Sequence, residues 1–192
     1  MHNKDIILDR IVSSLKKYTF TGNRTSDTKN IKDIIAAIGR EFNYNVWAHN
    51  IQCPRENNTK IHTSGHEWLY DLIWYKFREG VDYALTEMFL AMESEWGSRR
   101  HCAKDDKDSY GEVKYDFQKL LVCNTPLKLM VFKKHGSDEE TNELLNYFQE
   151  RINESVYSCP EETFIIVYYD YDKTDKKYKC TTKLYNKYET NI

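Results

Sequence analysis

The sequence predicts an α/β fold, a mixed β-sheet flanked by helices. Three observations predict it. Two stretches with apolar residues at helical spacing open the chain. Two stretches rich in aromatic and β-branched residues follow, separated by a short polar turn. Helical and strand patterns then alternate towards the C-terminus. At 192 residues the chain is long enough for one domain with a sizeable core. We therefore expect a single domain over 1–192: N-terminal helices over 1–45, a core over 67–132, and a C-terminal helix with strands over 138–185.

Taken in order, Ile7, Leu8, Ile11, Val12 and Leu15 recur at helical spacing and predict a helix over 6–18. Residues 19–30 are rich in Thr, Asn, Ser and Gly and read as a loop. Ile31, Ile34, Ile35 and Ile38 share one face of a second helix over 31–42, with Asn30 as its N-cap. Between Asn43 and Gly65 the pattern weakens, and Cys53-Pro54-Arg55-Glu56-Asn57-Asn58 reads as polar loop. Residues 67–75 then read as a strand, Arg78-Glu79-Gly80 as a turn and 83–96 as a longer strand, together an antiparallel hairpin. Residues 97–111 are charged loop. Phe117, Leu120 and Leu121 predict a helix over 113–123, and 127–132 a short apolar strand near the sheet centre. Leu144, Leu145, Phe148 and Ile152 mark the inner face of a helix over 138–155, capped by Ser137 or Asp138. Strands over 164–169 and 178–185 follow, and the polar tail after Tyr185 is expected to fray.

Composition excludes several classes. An aromatic share of 14% is too rich for long disorder, and 7 Gly with 3 Pro exclude collagen-like or low-complexity chains. Mean hydropathy is −0.77, and no apolar run approaches the ~18 residues of a membrane span. The start, Met1-His2-Asn3-Lys4-Asp5, leads into no signal-peptide core, so a cytoplasmic, membrane-free protein is expected. Five scattered cysteines, none in a CxxC pair, fit a reducing compartment and argue against structural zinc. Lys plus Arg total 28 and Asp plus Glu 30, a formal charge of −2. Any nucleic-acid contact must then come from a local basic patch.

The candidate chemistry sits on the predicted hairpin. Strand side chains alternate faces, so Glu87, Phe89, Ala91, Glu93 and Glu95 share one face of the second strand. Asp71 lies between Leu69-Tyr70 and Leu72-Ile73, where propensity offers no reason for a carboxylate. An acid among apolar neighbours costs desolvation unless a positive charge compensates it. Three converging acids are relieved by a hard divalent cation such as magnesium or manganese, which takes carboxylate and water oxygens. The plain alternative puts Glu93 and Glu95 at a solvated strand end and pairs Asp71 with a lysine or arginine.

This arrangement resembles the PD-(D/E)xK nuclease superfamily. Asp71 would match its first acid, and Glu93-Ser94-Glu95 its (D/E)xK motif, with Glu95 where lysine usually stands. Asp116-Phe117-Gln118-Lys119-Leu120-Leu121 falls where the family's next helix follows. Some members carry the motif lysine on that helix, so Lys119 is the leading replacement, and Glu67 a weaker match to an upstream helper acid. The resemblance covers residues 67–132. It implies a restriction-endonuclease-like three-layer sandwich and a nuclease that hydrolyses phosphodiester bonds with magnesium or manganese. Asp71, Glu93 and Glu95 would hold the metal, and Lys119 would orient or deprotonate water or hold a phosphate oxygen. The expected partner is nucleic acid, DNA before RNA, with a homodimer or a partner protein as a further association. The second reading is a catalytically inactive nuclease-fold protein, an interaction module in a defence or toxin–immunity system.

Other residues carry weaker signals. Arg99, Arg100, His101, Lys104 and Lys107 form a basic stretch that Asp105, Asp106 and Asp108 offset. His62, His66 and Glu67 lack the spacing of a zinc site. Trp68, Tyr70, Trp74, Tyr75, Phe89 and Trp96 could stack on bases but are expected mainly in the core. The acids of Tyr168-Tyr169-Asp170-Tyr171-Asp172 are expected at a strand end and turn, where they could bind a cation.

Overall fold

The computed structural model describes residues 3–48, 53–55, 58–62, 69–81, 84–96 and 108–188. Among the described residues it is an α/β protein with four helices and a six-stranded mixed sheet. Two compact units divide the chain, Met1–Ala91 and Met92–Ile192.

In the first unit, helix α1 spans Asn3–Lys17 and buries Ile7, Ile11 and Leu15, the predicted stripe. Helix α2 spans Arg24–Glu41 and begins seven residues before the sequence reading placed it. Its cap is Asn23, whose side chain accepts from the Ser26 N–H at 3.1 Å, and not Asn30. The first turn looks like loop because it is polar. Its Asp27 is nonetheless fully buried, its Oδ1 accepting from the Tyr18 hydroxyl at 2.6 Å and from the Thr21 N–H at 3.0 Å.

The weak stretch after Asn43 holds three short strands rather than loop alone: β1 (Asn45–Ala48), β2 (Cys53–Arg55) and β3 (Asn58–His62). Strands β2 and β3 pair as a separate two-stranded sheet. Runs of three to five residues are too short to display alternation, so pattern alone misses them. Strand β4 spans Leu72–Phe77 and pairs antiparallel with β1, Asn45 opposite Tyr75 through Ala48 opposite Leu72. Asp71 thus stands just ahead of the strand, not in its middle. The Arg78 N–H donates to the Ala84 carbonyl at 2.8 Å and closes the turn into β5 (Leu85–Glu95), with Gly80 at φ +72°. Tyr44 stacks against Phe89 at 4.8 Å and Trp74 at 5.9 Å, aromatic core as expected.

In the second unit, helix α3 spans Gly111–Leu121 and buries Val113, Phe117, Leu120 and Leu121. Strand β6 (Leu127–Lys133) leads into helix α4 (Asp138–Glu154), capped by a reciprocal Ser137–Glu140 box. Strand β7 (Thr163–Asp172) returns parallel to β6, Leu127 opposite Thr163 through Lys133 opposite Tyr169. A parallel return requires a crossover, which α4 supplies. Strand β8 (Lys177–Tyr185) then pairs antiparallel with β7. The sheet order is β1-β4-β5-β6-β7-β8. Phe117 meets Phe148 at 4.2 Å and Phe164 at 5.7 Å, so α3 and α4 share a core on one face of β7. The tail does not fray at once. Asn186 Nδ2 donates to the Glu162 carbonyl at 2.6 Å, and Lys187 Nζ to the Ser155 carbonyl at 2.8 Å. Among the described residues, no helix is long and apolar enough to cross a membrane.

Candidate active site

Strand β5 is buried from Phe89 to Glu93, and its motif residues are not at a solvated end. Glu93 is 3% exposed and Glu95 8%. Their spacing of two puts both carboxylates on one face of the strand. Two acids held this far from water need nearby positive charge.

Helix α3 delivers it to Glu93. Lys119 Nζ lies 3.3 Å from Glu93 Oε1 and 2.8 Å from Asp116 Oδ1. The predicted partner residue therefore does reach the motif strand. Asp116 belongs to the same arrangement, although the sequence reading gave it no role. The signal was present, since residues three apart on a helix are neighbours. Burial works against the ammonium charge of Lys119, but Asp116 and Glu93 outweigh it and hold the group above the usual lysine range. A lysine so held keeps its proton at neutral pH and acts as a hydrogen-bond donor. Of its three expected roles, orienting a water or holding a phosphate oxygen fits this state, and deprotonating a water does not.

Just beyond Glu95, His135 Nε2 donates to the Trp96 carbonyl at 2.7 Å. This bond ties the end of β5 to the turn after β6. Sequence reasoning missed it, because nothing local links residues 39 apart.

Asp71 lies in the first unit, where its Oδ1 accepts from Lys32 Nζ of α2 at 2.8 Å. Lys32 is itself buried. It occupies the apolar face of α2 next to Ile31 and Ile35, so the pairing explains a lysine that periodicity alone would send to the surface.

The acids of β7 are ion-paired. Asp170 meets Lys134 at 2.8 Å, and Asp172 meets Lys179, which holds the Asp172 carboxyl down at about 2. Both stand within a strand that runs on to Asp172, beyond the predicted end at Tyr169. His66, Glu67, Trp68 and the basic residues Arg99, Arg100, His101, Lys104 and Lys107 lie outside the described residues.

Among the described residues, no three His, Cys, Asp or Glu side chains gather as a ready-made metal-binding group. The donor set on β5 still suits a hard divalent ion. Magnesium is commonly held by one or two carboxylates, with waters and substrate phosphates completing the sphere. Glu93 and Glu95 are such a pair. Comparison with protein-family models, curated proteins and solved structures yields no match to the chain.

Proposed function

We propose that this protein is a magnesium- or manganese-dependent nuclease with a restriction-endonuclease-like three-layer fold, acting on DNA. One observation carries the reading: the Lys119 ammonium stands 3.3 Å from the buried carboxylate of Glu93, linking strand and helix in the order the motif requires. Glu93 and Glu95 would hold the metal. Asp71 is the further carboxylate by sequence resemblance. The bound ion supplies charge neutralisation to the phosphodiester and an acidified water.

The chain's own residues do the rest. Lys119, kept protonated by Asp116 and Glu93, donates to a phosphate oxygen or fixes the attacking water. Asp116 positions Lys119. The burial of Glu93 and Glu95 lowers the local dielectric, so each charge there acts more strongly than it would in water.

The test is cleavage of labelled single-stranded DNA, duplex DNA and RNA in manganese, with Glu93→Gln and Lys119→Met beside the wild type. Glu93→Gln should abolish cleavage, and Lys119→Met should slow it about 10²- to 10³-fold. Wild-type cleavage that survives Glu93→Gln would refute the assignment. Calorimetric titration with manganese, against Asp71→Ala plus Glu93→Ala, checks the metal separately.

One observation favours the second reading, an inactive nuclease-fold module. Asp71 and Glu93 each already have a lysine partner. The fold therefore does not need a metal to neutralise them. Absence of both manganese binding and cleavage would favour this alternative.

A further inference from the structure

Lys119 of α3 reaches Glu93 of β5, and Gln118, one residue before it, meets Tyr147 of α4. Beyond Gln118, the C-terminal ends of α3 and α4 and the turn after α4 frame an open groove of about 390 Å³. Its walls include Gln118, Val122, Tyr147, Arg151, Val156 and Tyr157. Val156 is 84% exposed and Tyr157 64%, so the rim presents apolar and aromatic surface to solvent.

Tyr147 is a fixed wall. Gln118 Nε2 donates to its hydroxyl at 3.4 Å, while Lys114 and Arg151 sit over its ring at 5.2 and 5.6 Å. These cations are already paired, Lys114 with Asp108 at 2.5 Å and Arg151 with Glu154 at 2.9 Å. The groove therefore has little net charge for gripping phosphates. It offers an exposed aromatic ring, a planar guanidinium, and an amide with both donor and acceptor. That chemistry fits the face and edge of a nucleobase rather than a nucleic-acid backbone.

We propose that this groove stacks an unpaired base flanking the phosphate held near Lys119, with Tyr157 as the stacking ring and Gln118 meeting the base edge. The proposal rests on the nuclease reading for its ligand class and deepens it: the substrate is single-stranded at this position. Gln118 and Lys119 are consecutive residues of α3, so that helix contributes to both sites.

The experiment is fluorescence anisotropy with a labelled oligothymidylate of about a dozen nucleotides. It is run in chelator so that no cleavage can occur, across a range of salt. Tyr157→Ala should weaken binding about tenfold at every salt concentration and leave the salt slope unchanged, because stacking releases no counterions. Tyr157→Phe keeps the ring and should stay within about twofold of wild type. Tyr157 is exposed, so neither change threatens the fold. Wild-type affinity in Tyr157→Ala, or no wild-type binding, would overturn the proposal. An equal loss on a blunt duplex, which offers no unpaired base, would also overturn it. Cleavage in manganese with unchanged Tyr157→Ala binding sinks the groove and leaves the nuclease standing. Binding that depends on Tyr157, without cleavage, does the reverse.

Discussion

Lys32 Nζ of α2 donates to Asp71 Oδ1 at 2.8 Å, joining a buried helix lysine to a carboxylate at the mouth of β4. The pair stabilises the first unit only as a pair. Each charge alone would be costly to bury, and losing one partner of such a pair typically costs about 3–5 kcal/mol.

Lys32→Met should therefore lower stability in chelator. It also removes the ammonium that competes with a metal for Asp71. Under the nuclease reading, manganese should then raise the melting temperature of Lys32→Met more than that of wild type. Equal shifts in the two proteins would detach Asp71 from the metal site.

A second buried pair lies in the other unit. Lys128 of β6 is fully buried, with its Nζ 2.7 Å from Glu162 Oε2, which also accepts from the Cys159 N–H at 3.2 Å. Lys128→Ala should cost about 3–5 kcal/mol in urea unfolding. The double change Lys128→Met with Glu162→Leu should recover most of that loss, because matched apolar groups need no compensation. A double variant as unstable as the single one would show that the pair is not the reason for the loss.

Gly39 of α2 packs directly on Trp74 of β4. A Cβ there would meet the indole at 2.6–2.9 Å. Alanine gains about 1 kcal/mol of helix propensity, whereas overpacking a rigid ring costs about 1–3 kcal/mol. The clash should win, and Gly39→Ala should lower the urea midpoint. A raised midpoint would mean that α2 shifts away from the sheet at little cost.

Tyr18 should contribute an alkaline limb to stability. Burial of the phenol, its bond to Asp27 and the Asp27 charge push it up to about 12, against an ordinary value of 10.0. The raised group favours its neutral form in the folded state. Its contribution is complete below the unfolded value and is lost as pH rises from 10.0 through about 12. Tyr18→Phe should flatten stability over that window. A limb that persists in the variant would assign it to other groups, with Tyr44, also raised to about 12, the first to test.

Much of the fold was legible in the sequence because its elements carry long, regular apolar patterns. The inner faces of α1, α3 and α4 and the strands β5 to β8 follow from spacing alone, since one burial face imposes one period. The start of α2 was hidden because its first turn is polar and is stabilised by the Asn23 cap and by Tyr18 and Thr21 on Asp27. Strand β1 was hidden because four residues cannot show a period.

The sequence by itself determined the α/β class, the order of the longer elements, and the odd placement of carboxylates at 71, 93 and 95. Tertiary structure alone decided how those charges are compensated. Lys32 reaches Asp71 across 39 residues of chain, while Lys119 joins Glu93 to Asp116. Local pattern specifies which face of an element is buried. Which charge meets which depends on packing between elements distant in sequence, and no local period encodes that.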